Sequence, residues 1–217
     1  GKGNTGTISG ATWTTLGKNG NALSFDGVND RVNIPDSASL DLTTGLTLEA
    51  WVYPTAGSGV RDVVIKEGSN VDIYNLYCRN GSGLPEGNVY VNGTNHFAPG
   101  ATLPLNTWTH LAATFDGAVL RLFVNGTQAA STNIAGSIPV SGGALRIGGN
   151  SIWGEYFQGR IDDVRIYNRA LSVAEIQADM SSPVGNPAPN TAPTISDIPD
   201  QGTIEDTLLT HVAFTAG

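Results

Sequence analysis

Short runs of alternating apolar and polar residues cover most of the chain, and tight turns separate them. In one run Leu23 and Phe25 alternate with polar neighbours. Two-residue hairpin turns at 116–117 and 125–126 join three further runs into an antiparallel meander. About a dozen such runs recur at spacings of about 8–12 residues, which is typical of β-sandwiches. The pattern therefore predicts an all-β fold, an antiparallel β-sandwich of jelly-roll size.

The run Gly159–Tyr167 is the most informative strand of the sequence. Strict alternation places Asp162 on the same face as Val164 and Ile166. A carboxylate on an apolar face that becomes buried must be paired, hydrogen-bonded or bound to a metal. This strand therefore predicts a site as well as a fold.

One short C-terminal helix is predicted directly after that strand. Ser172 and Glu175 stand three residues apart, which is the spacing of a capping box. We expect the helix to run from Val173 to about Met180, because the Ser-Ser-Pro sequence at 181–183 ends it.

Composition agrees with this fold and excludes several classes of partner. The chain has 217 residues, and its 28 glycines with only 14% charged residues favour many short strands joined by turns. The net charge of −8 argues against nucleic acid and disfavours polyanionic polysaccharides. Cys78 is the single cysteine, so no intrachain disulfide can form. No apolar run approaches the roughly 18 residues that a membrane-spanning helix needs.

Changes in composition divide the sequence into three parts. Residues 1–182 carry the strand pattern and the helix. Residues 183–193 hold four prolines and are predicted to form a semi-rigid linker. Residues 194–217 are too few for a second core, so we expect them to be the truncated start of another domain. We expect the whole sequence to belong to a longer protein.

Five segments, in this order, resemble laminin-G-like domains of the concanavalin A-like lectin/glucanase superfamily: residues 20–27, 48–52, 108–112, 122–126 and 159–167. The resemblance covers residues 1–182, and the sequence from Asn190 onward resembles the opening of a bacterial Ig-like or cadherin-like repeat. The resemblance of residues 1–182 implies a concanavalin A-like jelly roll of two curved sheets. It also implies a modular protein that is secreted or exposed at the cell surface.

The resemblance further implies a structural calcium ion. Carried onto this sequence, its ligands are Asp26, Asn29, Asp30 and Asp162. Calcium takes about six to eight oxygen ligands, and the acidic turn at 26–30 supplies carboxylate and amide oxygens. Two alternatives remain open from the residues alone. The turn can be ordinary Asp/Asn/Gly turn chemistry, and Asp162 can pair with Arg31 or Arg160 without a metal.

No catalytic residue is predicted. The Glu-x-Asp-x-x-Glu strand of the β-glucan-cleaving members is absent from the sequence, and so is a Gly-x-Ser-x-Gly elbow. The favoured function is a non-catalytic, lectin-like carbohydrate-binding module that binds a polysaccharide or glycan as a monomer. Aromatic platforms and polar partners bind sugars, and the candidates are Trp153, Tyr156 and Tyr74 with Asn75 and Arg79.

Two alternative functions belong to other classes. An adhesion or spacer domain would contact protein partners, including neighbouring domains of its own polypeptide, through a flat sheet face. A polysaccharide-degrading enzyme would need two carboxylates that face each other across a groove.

Overall fold

The computed structural model describes residues 2–184. The predicted stub at 194–217 and all but the first two residues of the predicted linker lie outside the described residues, so both stay predictions. Within residues 2–184 the chain forms fourteen strands, a short 3-10 helix at Ala38–Leu40 and one α-helix. The α-helix, α1, spans Val173–Met180, as the sequence predicts.

The strands, in chain order, are β1 (Thr7–Ser9), β2 (Thr12–Thr14), β3 (Ala22–Asp26), β4 (Arg31–Ile34), β5 (Leu46–Pro54), β6 (Arg61–Glu67), β7 (Asp72–Arg79), β8 (Glu86–Val91), β9 (Thr94–Pro99), β10 (Thr109–Phe115), β11 (Val119–Val124), β12 (Thr127–Asn133), β13 (Leu145–Ile147) and β14 (Gln158–Tyr167).

These strands form two antiparallel sheets of seven strands each. The first sheet has the order β1-β4-β13-β6-β7-β8-β9, and the second has the order β12-β11-β10-β5-β14-β3-β2. In the second sheet β5 lies between β10 and β14. The predicted all-β sandwich, consistent with a jelly roll, and its single short helix are confirmed.

The main core lies between the two sheets and consists of the side chains that point inward at alternate positions along each strand. In β5 the inward side chains Leu46, Leu48, Ala50 and Val52 belong to this core. The intervening residues of β5, among them Glu49 and Trp51, point to the outer face of the second sheet. Each sheet therefore presents one face to the core and one outer face, and the two outer faces differ in what covers them.

Strand β14 corrects the prediction that Asp162 shares a face with Val164 and Ile166. The pairing of β14 with β5 shifts between Asp162 and Arg165, and Asp163 within the shift has a positive φ of 47°. Such a bulge inserts an extra residue and reverses the alternation beyond it. Ile161, Val164 and Ile166 therefore all pack on the core, and Asp162 lies on the opposite, outer face.

Helix α1 lies over the outer face of the second sheet. The Ser172 hydroxyl accepts from the Glu175 backbone N–H, and the Glu175 carboxylate accepts from the Ser172 N–H, so the predicted capping box is present. Ile176 of the helix packs with Leu171, Ala112 and Phe123 in a second, small apolar cluster. This packing fixes the helix on the sheet.

Candidate functional site

Polar and aromatic side chains concentrate on the outer face of the first sheet, on β7, β8 and β9. The register places Asn75 of β7 beside Asn88 of β8, and Tyr77 beside Glu86 in the next outward row. Phe97 of β9 is the partner of Asn88 on the other side. Acid, amide and aromatic groups from three adjacent strands thus meet on one surface.

Asparagine side chains hold two carboxylates of this face in place. Asn88 Nδ2 donates to Asp72 Oδ2 at 2.5 Å, and Asn95 Nδ2 donates to Asp72 Oδ1 at 3.3 Å. Asn80 Nδ2 donates to Glu86 Oε2 at 2.7 Å. Each carboxylate therefore has a fixed orientation that comes from neutral amides and not from an ion pair.

A second amide–carboxylate group joins the sheet to the loop before β14. Asn150 of this loop is fully buried, and its Nδ2 donates at 2.8 Å both to Asp62 Oδ2 and to Glu155 Oε2. Asn75 Nδ2 donates to Asp62 Oδ1 at 2.8 Å, and Tyr77 Oη donates to Glu155 Oε2 at 3.0 Å. These bonds hold the loop, and Trp153 at its tip, against the sheet.

Between the loop and the sheet lies a depression of about 330 Å³, which we call the acidic groove. Its lining combines three carboxyl residues, three aromatic residues and two amides, with a valine and a glycine at its margin: Asp72, Glu86, Glu155, Tyr77, Phe97, Trp153, Asn80, Asn95, Val60 and Gly81. Trp153 and Phe97 are each 45% exposed, whereas Asp72, Tyr77 and Glu86 are buried. The groove thus has a rigid polar floor and exposed aromatic edges.

The electrostatics of the groove are those of acids without counter-ions. Burial raises the pKa of Asp72 and of Glu86, although hydrogen bonds from asparagines oppose the rise. Asp62 is completely buried behind them, and burial raises its pKa well above the usual range. No Lys or Arg lies among the residues that line the groove. No positive charge among the lining residues therefore offsets the cost of removing these carboxylates from water.

Three amide oxygens on this face have no hydrogen-bond partner. They are the Oδ1 atoms of Asn75, Asn88 and Asn95, whose Nδ2 atoms all donate to carboxylates. Asn75 and Asn88 are essentially inaccessible to solvent, and an unused acceptor in such a position is unfavourable. The face therefore has hydrogen-bonding capacity that the described protein atoms leave unused.

Two of the five predicted sugar-binding residues lie at this face. Trp153 lines the acidic groove, and Asn75 belongs to the polar floor beneath the loop. Tyr74 does not lie there, because alternation along β7 turns it inward. Its side chain is fully buried in the core, where Tyr74 Oη donates to the Leu40 carbonyl at 2.9 Å.

Arg79 and Tyr156 lie away from the acidic groove. Arg79 donates to the Gly83 carbonyl and lines a separate small cavity with Arg61 and Cys78. Tyr156 stacks on Gly149 in the loop, and its carbonyl accepts from Arg61 at 2.6 Å. Of the two aromatic residues of this loop that the sequence predicts as sugar contacts, only Trp153 lines the groove.

The four predicted calcium ligands do not form one coordination sphere. Asp26 pairs with Gln158 in the register of β3 and β14, so Asp162 lies four residues farther, about 13 Å along the strand. Asp162 accepts backbone N–H groups from Lys18 and Asn19 at 2.8 and 3.0 Å. These bonds satisfy the outward carboxylate without a cation.

The 26–30 turn is likewise internally bonded. Asp26 Oδ1 accepts the backbone N–H of Val28, and Asp30 Oδ2 accepts the backbone N–H of Asp26, whereas Asn29 is exposed. Within residues 2–184 no group of three or more His, Cys, Asp or Glu residues could hold a metal ion. The calcium ion therefore stays a prediction from the resemblance, without support from the predicted ligands as a set.

A larger cavity of about 840 Å³ lies between the two sheets. Its lining combines aliphatic residues, such as Leu145, Ile147, Val164 and Ile166, with polar residues of the N-terminal segment and the 38–42 region. Its one aromatic lining residue among those described is Tyr167, whose hydroxyl donates to Asp179, so the cavity lacks the exposed aromatic edges of the acidic groove. We therefore place the candidate site at the smaller acidic groove.

Sequence reasoning missed the acidic and amide residues that line the groove: Asp72, Asn80, Glu86, Asn95 and Glu155. The available signal was the outward half of the alternation in β7, β8 and β9, which is unusually rich in amides, acids and aromatics. In an antiparallel sheet that half normally faces solvent, so it carries no sign of burial by itself. Only the loop that lies across the sheet makes these residues a site.

Comparison with known proteins agrees with the fold. A laminin G family model, described as the concanavalin A-like lectin/glucanases superfamily, matches residues 26–177. The chain belongs to this superfamily. No curated protein matches the sequence significantly. None of the helices in residues 2–184 has the length and apolar character needed to span a membrane.

Two solved structures with a similar fold are informative. One is domain 4 of AbnA, a GH43 extracellular arabinanase from Geobacillus stearothermophilus, in complex with arabinotriose. It has a TM-score of 0.64 and 21% identity, over 80% of this chain and 87% of that chain. The other is the botulinum neurotoxin serotype G binding domain, with a TM-score of 0.62 and 13% identity, over 82% of this chain and 46% of that chain.

A third neighbour is an enzyme, the Trypanosoma rangeli sialidase in complex with the inhibitor DANA. Its TM-score is 0.57 and its identity 17%, over 79% of this chain and 28% of that chain. At these identities the likeness concerns the fold, and the fold does not fix the function.

Proposed function

We propose that this chain is a non-catalytic carbohydrate-binding module and that the acidic groove holds the glycan. The observation that carries the proposal is the combination of exposed Trp153 and Phe97 with a floor of amide-oriented carboxylates. Aromatic faces stack on the apolar faces of sugar rings, and fixed polar groups bind their hydroxyls. A flat spacer surface would need neither feature.

The neighbours support this assignment by their chemistry. The arabinanase domain is similar along most of both chains and was solved with a bound trisaccharide. A botulinum neurotoxin DC binding domain, 9% identical, was solved in complex with SialylT. In such proteins a binding module acts beside other domains, so we propose that this chain serves a secreted or surface-exposed modular protein.

The test is a binding screen of the chain on a broad panel of neutral, amino and acidic glycans. Any hit is then measured for the wild type, for Trp153→Ala and for Trp13→Ala. Trp13 is 67% exposed and lies on β2 in the other sheet, so it is a matched control for loss of a surface indole.

We expect Trp153→Ala to weaken glycan binding by about tenfold or more, in line with loss of an aromatic anchor, and Trp13→Ala to leave it unchanged. Silence across the panel would favour the adhesion or spacer alternative. Equal effects of the two substitutions on glycan binding would show that the glycan does not bind in the acidic groove.

Hydrolysis is a second candidate function, because three carboxyl residues line the same groove. Glycoside hydrolysis uses a pair of carboxyl groups, one of them with a raised pKa, and burial raises the pKa of Glu86. Release of reducing ends from any glycan that binds would establish this function. We favour binding, since asparagine side chains donate to both Asp72 and Glu86, which fixes these carboxylates as hydrogen-bond acceptors and not as proton donors.

A further inference from the structure

We propose that the acidic groove selects sugars that carry a protonated amino group. This inference rests on the proposed function and specifies the class of glycan. It follows from the charge of the groove, from the kind of hydrogen-bonding atoms it presents and from its aromatic edges.

Charge is the first reason. Asp72, Glu86 and Glu155 line one depression of about 330 Å³, and none of the lining residues is cationic. Burial has already raised the pKa of Asp72 and Glu86, so a uronate or sulfated unit would meet further repulsion there. A ligand cation instead stabilises the ionised carboxylates that the fold leaves without counter-ions.

The hydrogen-bonding inventory is the second reason. Asn80 and Asn95 direct their Nδ2 groups at carboxylates, and Tyr77 Oη donates to Glu155. Glu86 and Glu155 receive these bonds at Oε2, so the second carboxylate oxygen of each, Oε1, remains an acceptor for a ligand in the groove. An ammonium group has three donors and no acceptor, so it matches such a surface better than a hydroxyl does.

The aromatic residues are the third reason. Tyr77, Phe97 and Trp153 surround the groove, and the faces of aromatic rings attract cations, most strongly when water is excluded. Carboxylates with aromatic walls are thus suited to a cationic group on an otherwise uncharged sugar ring.

The experiment compares short oligosaccharides of glucosamine and galactosamine with their N-acetylated forms, in which a neutral amide replaces the charged amine. Binding to the full chain is measured by calorimetry at a mildly acidic pH at which the amines are charged. An oligolysine of equal charge controls for non-specific attraction to an acidic protein.

Glu86→Gln is the groove variant, because it removes one charge and keeps the shape of the side chain. Asp116→Asn is the control: it removes the same charge from the hairpin between β10 and β11, on the other sheet. We expect an amino sugar to bind at least about tenfold more tightly than its N-acetylated form. Glu86→Gln should abolish that preference, and Asp116→Asn should retain it. Thermal unfolding verifies that both variants fold.

Other outcomes separate the two proposals. Binding of neutral or N-acetylated glycans as tight as that of amino sugars overturns the amine selectivity and leaves the carbohydrate-binding function standing. If oligolysine binds as tightly as the amino sugars, the groove recognises positive charge alone, and this result also overturns the inference. A chain that binds no glycan at all overturns both proposals.

Discussion

The outer faces of the two sheets both bury ionisable groups, but they do so in different ways. On the first sheet asparagines orient each carboxylate of the floor, and the surface opens into a groove. On the second sheet Glu49 and His110 are completely buried, and Glu49 Oε2 lies 3.7 Å from His110 Nε2 beneath helix α1. A buried acid indicates a binding site only where the structure also orients the carboxylate and leaves it accessible to a ligand.

Electrostatics separate the two faces as well. Burial, reinforced by Asp179 of α1, raises the pKa of Glu49 to about 8. Burial and then Arg165 lower the pKa of His110 to about 4. Near neutral pH both groups are therefore uncharged, which is the favourable state for ionisable groups removed from water. The second face is a packed structural layer, and three predictions test that distinction.

The largest expected effect is on the packing of the helix. Ile176→Ala removes a fully buried side chain from the cluster with Leu171 and Phe123, and a cost of about 2–5 kcal/mol in the free energy of unfolding is expected for such a cavity. Chemical denaturation measures it. Glycan binding by the remaining folded protein should not change, because the groove lies on the other sheet.

Val173→Ala is the matched control on the same helix, since Val173 is 45% exposed. It should change stability by no more than about 0.5 kcal/mol. If Ile176→Ala weakened glycan binding in fully folded protein, the two faces would be coupled and the comparison would fail.

An intermediate effect concerns pH. The folded-state pKa of Glu49, about 8, lies above its ordinary value of 4.5, so between these values the folded chain binds more protons than the unfolded chain. Stability from this group therefore falls as pH rises toward 8. Glu49→Gln should reduce that fall and stabilise the protein by about 1–3 kcal/mol at neutral to mildly alkaline pH.

The informative window for this measurement lies above the ordinary pKa of histidine, 6.5, since His110 has the opposite sign below it. Asp116→Asn serves as the control, because the pKa of Asp116 is lowered and its contribution changes only in acid. Identical stability–pH curves for wild type and Glu49→Gln in this window would show that Glu49 is not a buried, neutral acid.

The smallest effect is at the helix start. Ser172→Ala removes the hydroxyl that accepts from the Glu175 backbone N–H and should destabilise the protein by about 1 kcal/mol. Ser172→Thr retains the hydroxyl and should recover most of the loss in a denaturant titration. Equal losses for the two variants would mean that the cap contributes little.

Local patterns predicted much of this architecture correctly. The alternation of Leu46, Leu48 and their successors in β5 identified a strand with one buried face, and the residues of the capping box identified the helix to its ends. Both signals depend on residues within a few positions of each other, so one sequence suffices to detect them.

The residues of the candidate site could not be predicted from local patterns in the same way. The sequence predicts Trp153 as a sugar contact from its place in a loop, and Trp153 lines the groove. Asp72 and Glu86 stand in ordinary strands, where alternation alone gives no sign that they line a site. Asn150 donates to Asp62, which lies 88 positions earlier in the chain. This bond holds the loop across the sheet, so that the loop and the strands that carry Asp72 and Glu86 enclose one groove. No local pattern contains such a long-range contact.

The sequence by itself determined the strands, the turns, the helix with its cap and the all-β class, because these depend on short-range periodicity and backbone preferences. Only the tertiary structure decided which outer face became a groove and which became a covered layer. It also decided the side on which Asp162 lies, since the bulge in β14 reverses the alternation there. The physical reason is the same in each case: burial and partnership of polar groups are properties of distant segments brought together.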